Sequence, residues 1–256
     1  MDERIEIIKK WLGTGSINVF GMPFSGKDTV GIHLAEVLGA KFLSSGLILR
    51  AAEKEDKEIE NEMATGQLVN TDKFRSIVLP YLAKSELSDF PLILSSVGRW
   101  EGEEYDVIEK AEEAGHPIKA VIVLNLSEAE VKTRWRASHS LQDRGERLDD
   151  KEEAILDIRI REFNEKTAPV IETYQKRGLI APVKAAGTRE EVFTNVIDVL
   201  MHFALNNDRE IPLTDDEFTD EGAGTVNIHD EPDEVDPGEE EEEATHESDD
   251  YEKEEE

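Results

Sequence analysis

The chain has 256 residues and no Cys, carries 60 acidic against 29 basic side chains for a formal net charge of −31, and is only 38% hydrophobic. Disulfides, thiolate metal sites and thiol catalysis are therefore excluded, and the negative charge argues against nucleic acid or an anionic membrane as partner, since both attract cations. The opening MDERIEIIKKWLG does not read as a signal peptide, and no apolar run approaches the roughly 18 residues of a membrane span, so a soluble, cytoplasmic protein is expected.

In chain order, residues 2–12 read as a short amphipathic helix. A continuous apolar run at 17–20 reads as a strand and is followed by a helical pattern over 27–38. Further strands are expected at 41–43, 91–95, 120–125 and 179–184, with helices over 46–55, 71–84, 104–114, 128–137, 151–177 and 189–205. Asn70, Ser127 and Thr188 stand where N-caps belong. Strands that are apolar without alternation suit a parallel sheet covered on both faces. The expected fold is α/β: a P-loop three-layer fold with an open, parallel, five-stranded sheet and helices on both faces.

The charge is unevenly distributed. Residues 206–256 hold 24 acids and two bases, a balance of −22, which leaves −9 for residues 1–205. The last 51 residues lack apolar periodicity and include the run from Glu239 to Glu243. Such a segment buries too little surface to offset its ordering entropy. It reads as a disordered acidic tail (206–256) behind a folded domain (1–205). Solubility is its simplest service; recruitment of a basic partner and adaptation to high salt are the alternatives.

The strongest motif is GMPFSGKDT, Gly21 to Thr29, between the first strand and its helix. Gly21, four residues, Gly26 and Lys27 match a phosphate-binding loop up to its lysine, in the strand–loop–helix setting that such a loop requires. Glycines let successive N–H groups turn inward around an anion, the helix N-terminus adds positive charge, and Lys27 reaches terminal phosphates. Ser25 lies in the loop. Asp28 takes the place of the usual Ser/Thr after the lysine, with Thr29 next.

Read onward, the chain resembles the adenylate kinase family of nucleoside monophosphate kinases, over roughly residues 17–203. Lys27 and Thr29 match the family's Gly-Lys-Gly-Thr, while Asp28 departs from it. FLSSGLILR is similar to the segment Ser-Thr-Gly-Asp, with Leu47 at the Asp position. The resemblance implies that Ser45 contacts the nucleoside monophosphate and Arg50 its phosphate, within a monophosphate-binding segment of about 44–75. GQLV, Gly66 to Val69, resembles the family's Gly-x-Leu-Val, whose backbone borders the acceptor base. The third strand ends Ser95-Ser96-Val97-Gly98-Arg99 where the family has Asp-Gly-Phe-Pro-Arg, so only the arginine is kept. Arg134 is similar to the arginine that flanks the donor nucleotide. RGERLDD resembles the lid hinge and marks Arg147 as a lid arginine, with a short lid over about 136–149. Arg159, ten residues before Pro169, corresponds to the last phosphate-binding arginine, with Arg161 as a rival. AAGTREEV, with Gly187, resembles the loop whose backbone accepts the donor adenine.

Taken singly, each arginine is most simply a surface residue. Phosphoryl transfer, however, needs several cations converging on the transferring group. Lys27, Arg50, Arg99, Arg134, Arg147 and Arg159 occur in the family's order within a body that is itself acidic. The implied reaction is reversible transfer from ATP, with Mg²⁺, to a nucleoside monophosphate, AMP first, by a monomer. Lys27, Arg99, Arg147 and Arg159 are the expected catalytic cations. Another monophosphate such as GMP, CMP or UMP, another acceptor, or an inactive nucleotide-binding module working through its tail are the alternatives.

Two departures carry expectations of their own. Glu103 stands where the family has an adenine-reading Gln; it either reads the acceptor base or serves the first turn of its helix, where acids are favoured. Asp28 either replaces the third-strand Asp, here Ser95, as the Mg²⁺ partner or merely occupies a helical first turn. The six His residues are scattered. His33 is expected to be half-buried, and His139 falls in the lid.

Overall fold

The computed structural model describes residues 3–141 and 152–206. Arg147, most of the expected lid and the acidic segment from 207 onward lie outside the described residues.

The elements run α1 Glu3–Leu12, β1 Ser16–Gly21, α2 Lys27–Leu38, β2 Lys41–Ser44, α3 Ser45–Ala52, α4 Lys57–Ala64, α5 Thr71–Lys73, β3 Leu92–Ser95, α6 Glu103–Glu113, β4 Ile118–Asn125, α7 Glu128–Leu141, α8 Glu153–Glu162, α9 Ala168–Lys176, β5 Ile180–Lys184 and α10 Arg189–Asn206. The five strands form one parallel sheet in the order β2-β3-β1-β4-β5. β1 is buried along its whole length. Its alternate residues serve opposite faces. Ile17 and Val19 join Leu34 of α2, Ile160 of α8 and Val196 of α10 in one core, whereas Phe20 packs with Tyr174 of α9 on the other face. The three-layer α/β architecture expected from the sequence is thus the one observed. The chain leaves β1 toward one edge, returns as β3 beside it, and continues as β4 on its other side. That reversal opens a crevice at the carboxyl ends of the central strands, where ligands of such sheets bind.

All three expected N-caps are made. Asn70 accepts from the Lys73 N–H, and reciprocal capping boxes join Ser127 to Glu130 and Thr188 to Glu191.

Three expected helices differ from the reading. The pattern over 46–55 ends at Ala52, and a second helix, α4, follows with Asp56 as its N-cap. It escaped the reading because it is only eight residues long and its apolar side is just Ile59 and Met63, one helical turn apart. The pattern over 71–84 is a short α-turn, then a π-turn Phe74–Val78, then a 3₁₀ turn Leu79–Ala83 containing Pro80, whose missing N–H breaks the regular ladder. The long helix over 151–177 is interrupted by a π-turn, Phe163–Thr167, just before Pro169. The wider turn accommodates a residue that cannot donate to the preceding turn.

Candidate active site

The phosphate loop is built by close approach. A Cβ added at Gly21 would stand 2.5 Å from Ser25 Oγ and 3.0 Å from the Leu124 carbonyl, so no side chain fits there. Gly26, at φ 90°, turns the chain into α2. Phe24 takes φ 61°, and Ser96 takes φ 51° on the opposite wall; these are the only positive-φ non-glycine residues among those described. Such backbone costs on the order of 1 kcal/mol or more at each and clusters at functional sites. Ser25 is buried, and its Oγ makes no hydrogen bond within the chain. Arg134, reaching from α7, donates to the Phe24 and Ser25 carbonyls at 3.4 and 3.2 Å and to Ala185 O at 2.5 Å. It braces the phosphate loop against the β5–α10 loop. It also lines a second, shallower cleft with Leu126, Glu130, Thr133, Ala186 and Gly187. The sequence reading gave Arg134 only the second of these places.

Opposite the loop, Ser45 at the start of α3 donates to Ser96 O at 2.6 Å, while Ser44 caps the helix through the Leu47 N–H. Ser95, the last residue of β3, donates through Oγ to Asp28 Oδ1 at 2.6 Å. The loop carboxylate therefore sits at the place where the strand lacks one.

Arg99 follows β3. Part of it faces the crevice and the rest is enclosed. Burial, with Arg159 adding repulsion, pushes its pKa down to about 10 against the opposing pull of Glu103, Glu162 and Asp28. It stays charged at neutral pH, yet its Nε is buried without a hydrogen-bond partner, a donor available to an anion. Its carbonyl accepts from Thr167 Oγ1 of the π-turn at 3.3 Å. Arg159 lies with its guanidinium 5.9 Å from the Phe24 ring, and its stem packs where a Cβ at Gly66 would go. Arg161 is exposed. Of the two rivals, Arg159 is the one in the crevice.

Glu103 is only 2% exposed. Its Oε2 accepts from the backbone N–H groups of Arg99 at 2.7 Å and Trp100 at 3.1 Å, which fixes the loop that carries Arg99. Its Oε1 makes no hydrogen bond of good geometry, although the Thr71 side chain stands close enough to favour the charged form. Burial outweighs these donors and raises the Glu103 pKa above the ordinary carboxylate range. Glu103 thus sits in the first helical turn, as its alternative reading had it, and in addition supports the preceding loop, a role the sequence did not indicate.

Sequence reasoning missed a latch beside it. Trp100 Nε1 donates to Val69 O at 2.9 Å, Lys166 Nζ lies 3.9 Å above the indole centroid, and Lys166 pairs with Glu162 at 2.6 Å. Glu162 Oε2 in turn accepts from the Leu68 N–H at 2.9 Å. The segment 66–69 is thereby tied to the π-turn of the long helix. The Glu162–Lys166 spacing is legible as an i,i+4 pair; its target on another segment is not. His33, expected half-buried, is exposed and stacks on Phe193 with centroids 3.8 Å apart.

One open cleft collects these groups. Gly26, Lys27, Asp28 and Thr29 line it from the phosphate loop, and Ser45, Arg50, Arg99 and Arg159 surround it. Val69, Phe74, Trp100 and Glu103 also line it. Of the residues singled out in the sequence, Gly21 and Ser25 support the loop from behind, Arg134 and Gly187 flank the second cleft, and Arg147 lies outside the described residues.

The adenylate kinase family model matches residues 19–179. The chain belongs to the adenylate kinase family. An adenylate kinase of Synechococcus sp. (strain CC9902) is 33% identical over 184 residues, covering 70% of this chain and 95% of its own. One of Schistosoma mansoni is 33% identical over 195 residues, covering 74% and 94%. An adenylate kinase of Thermus thermophilus is 30% identical over 181 residues, covering 69% and 91%. Among solved structures, a gluconokinase from Sinorhizobium meliloti 1021 aligns with a TM-score of 0.52 at 20% identity, over 76% of this chain and 95% of that one, a likeness of fold alone. Membership makes the chain a phosphotransferase of the kinase type, on a P-loop fold. No helix among the described residues is long and apolar enough to cross a membrane.

The donor set fits Mg²⁺ accompanying a nucleotide. The Asp28 carboxylate, joined to the Ser95 hydroxyl beside Thr29, offers hard oxygen ligands next to the phosphate loop. Mg²⁺ is usually held by one or two carboxylates together with substrate phosphates and water.

Proposed function

We propose that this chain catalyses reversible transfer of the γ-phosphoryl group of ATP to a nucleoside monophosphate, with AMP as the leading acceptor. The observation that supports this best is the shared cleft: the phosphate loop with Lys27 lines one space together with Arg50, Arg99 and Arg159, and Val69, Phe74 and Trp100 give that space apolar surface suited to a base. Binding a single nucleotide would not call for so many cations in one cleft.

In this reading the triphosphate lies along the loop N–H groups, with Lys27 on its terminal phosphates and its base toward Arg134 and Gly187. Ser45, Arg50 and Arg99 hold the acceptor phosphate. One of its oxygens attacks the γ-phosphorus while the bond to the β,γ-bridging oxygen breaks, giving two nucleoside diphosphates. No general base is needed, since the attacking oxygen is already anionic. The residues supply alignment and charge for the equatorial oxygens. Lys27, Arg99 and Arg159 take that role, with Arg147 added from the lid, whose closure would exclude water. Bound Mg²⁺ would neutralise charge on the β- and γ-phosphates, with Asp28 as its protein partner.

The working unit is proposed to be a monomeric, cytoplasmic domain of residues 1–205, with residues 206–256 serving solubility or a basic partner. The AMP assignment follows the relatives' names; Glu103, which lines the cleft and accepts rather than donates when ionised, favours GMP as the second reading. A coupled assay with ATP, Mg²⁺ and each of AMP, GMP, CMP, UMP and dTMP tests the proposal. Diphosphate formed from one monophosphate at least tenfold faster than from the rest is expected. ATP turnover independent of every monophosphate would reject it.

A further inference from the structure

Between Ile17 and Val19 of β1 stands Asn18, fully buried at the centre of the sheet. Leu94 of β3 pairs with it on one side and Val121 of β4 on the other. A polar side chain in such a place costs desolvation unless its groups are bonded. Both ends of its amide are engaged with one residue. Nδ2 donates to the Val97 carbonyl at 2.8 Å, and Oδ1 accepts from the Val97 N–H at 3.3 Å. Tyr174 of α9 stands beside the amide, but its buried hydroxyl makes no well-formed bond, so Asn18 is committed to Val97.

Val97 lies in the turn that carries Arg99 out of β3. The Ser96 N–H still reaches Val19 O at 3.0 Å, and beyond it the backbone leaves the ladder. Ser96 takes φ 51° and Gly98 takes φ 79°, where a Cβ would stand 2.9 Å from Val107 Cγ2. Val97, between them, is 1% exposed and needs both a donor and an acceptor from elsewhere. A side-chain amide offers the two together, as a peptide group does. Further along, Glu103 holds the Arg99 and Trp100 amides, and Thr167 Oγ1 holds the Arg99 carbonyl. Asn18 thus anchors the near end of the turn to the sheet, and α6 and the π-turn anchor the far end.

Strained backbone persists only where its surroundings over-determine it. Without Asn18, two buried groups of Val97 lose their partners, and the turn relaxes about Ser96 and Gly98. Arg99, two residues on, moves with it. Resting on the kinase reading, we propose that Asn18 is a positioning residue for the acceptor phosphate, setting the place of the Arg99 guanidinium through the Val97 turn. Asn18 is not among the residues that line the cleft, so it acts without touching either nucleotide.

A double-mutant cycle in the full chain separates positioning from general support of the fold. Asn18→Leu has a similar volume and no hydrogen-bonding group. It should lower kcat/KM for the preferred monophosphate by about 10²-fold, as a small misplacement of a positioning group does. The affinity for ATP, measured by calorimetry, should stay nearly unchanged. In an Arg99→Ala background the same substitution should cost less than about threefold, because residues that act through one another are not additive. A loss of equal size in both backgrounds, or wild-type kinetics in Asn18→Leu, overturns the proposal. If Asn18→Leu does not fold, the smaller Asn18→Ala carries the same cycle. A wild-type chain that phosphorylates no monophosphate would remove the kinase reading. The cycle is then read on calorimetric binding of the monophosphate, and absence of binding would remove this inference as well.

Discussion

The hydroxyl of Ser95 donates to the Asp28 carboxylate at 2.6 Å, across the gap between the end of β3 and the first turn of α2. Two departures from the family pattern, 67 residues apart in sequence, thus meet as a pair. The hydroxyl at the end of the strand orients the carboxylate in the first turn of the helix.

If that pair supplies the Mg²⁺ partner, Asp28→Gly should weaken the Mg²⁺ dependence of ATP binding, measured by calorimetry with and without the metal, and slow transfer at least tenfold. Adding Ser95→Asp should restore part of both. An Asp28→Gly protein that binds Mg·ATP as wild type does would show that the pair is structural only.

Lys27 and Arg99 are the best placed cations. Lys27→Ala and Arg99→Ala should each lower kcat about 10²–10³-fold, the loss recorded for one charged or polar donor at a developing anion. Arg99→Ala should also raise KM for the monophosphate, while Lys27→Ala should leave it nearly unchanged. Single-turnover and steady-state kinetics separate these outcomes, and near-normal rates in either variant would remove that cation from the site.

Glu162 is 8% exposed at its side chain and pairs with Lys166 under Trp100. Removing one member strands a buried charge, which costs about 3–5 kcal/mol. Lys166→Met should therefore be strongly destabilising in urea denaturation, and the double variant Glu162→Gln/Lys166→Met should recover more than half of the loss. Additive losses would mean that the two side chains act independently.

Glu103 also predicts a pH dependence of stability. Its pKa is raised in the folded chain by burial, so the stabilisation it gives is fully present below the ordinary glutamate value and is lost as pH rises through the raised one. Glu103→Gln does not titrate. Its Tm relative to wild type should therefore climb between pH 4.5 and pH 8. A constant difference would show that the carboxyl is no harder to ionise in the folded protein than in the unfolded chain.

Truncation after Asn206 would remove the acidic segment, which has no apolar pattern that could pack on the domain. Residues 1–206 are expected to keep the Tm and transfer rate of the full chain, checked by calorimetry and the coupled assay. A large loss of either would show that the segment contributes to the folded unit.

The sheet, its parallel sense and the phosphate loop were legible in sequence because they rest on local, dense signals. Continuous apolar runs cannot be half-exposed strands, and Gly21, Gly26 and Lys27 need no partner to be recognised. Single-residue capping signals at Asn70, Ser127 and Thr188 were legible for the same reason. Helix α4 was not, since two apolar residues one turn apart in an eight-residue segment, Ile59 and Met63, are too few to establish a period. The π-turns were hidden as well, because widening a turn changes which carbonyl an N–H finds without changing composition.

Arg159 and Arg161 have the same chemistry and nearly the same neighbours in the chain. Two residues apart on α8, they point to different sides, and the packing of that helix, with the Arg159 stem against Gly66, puts Arg159 in the cleft. Asp28 and Ser95 were each visible as a departure, but a hydrogen bond between them requires β3 to lie beside β1, a long-range pairing that no local pattern encodes. Glu103 was seen as an acid in a first turn. That its carboxylate is buried and holds the Arg99 loop through two backbone N–H groups is something tertiary structure alone assigns.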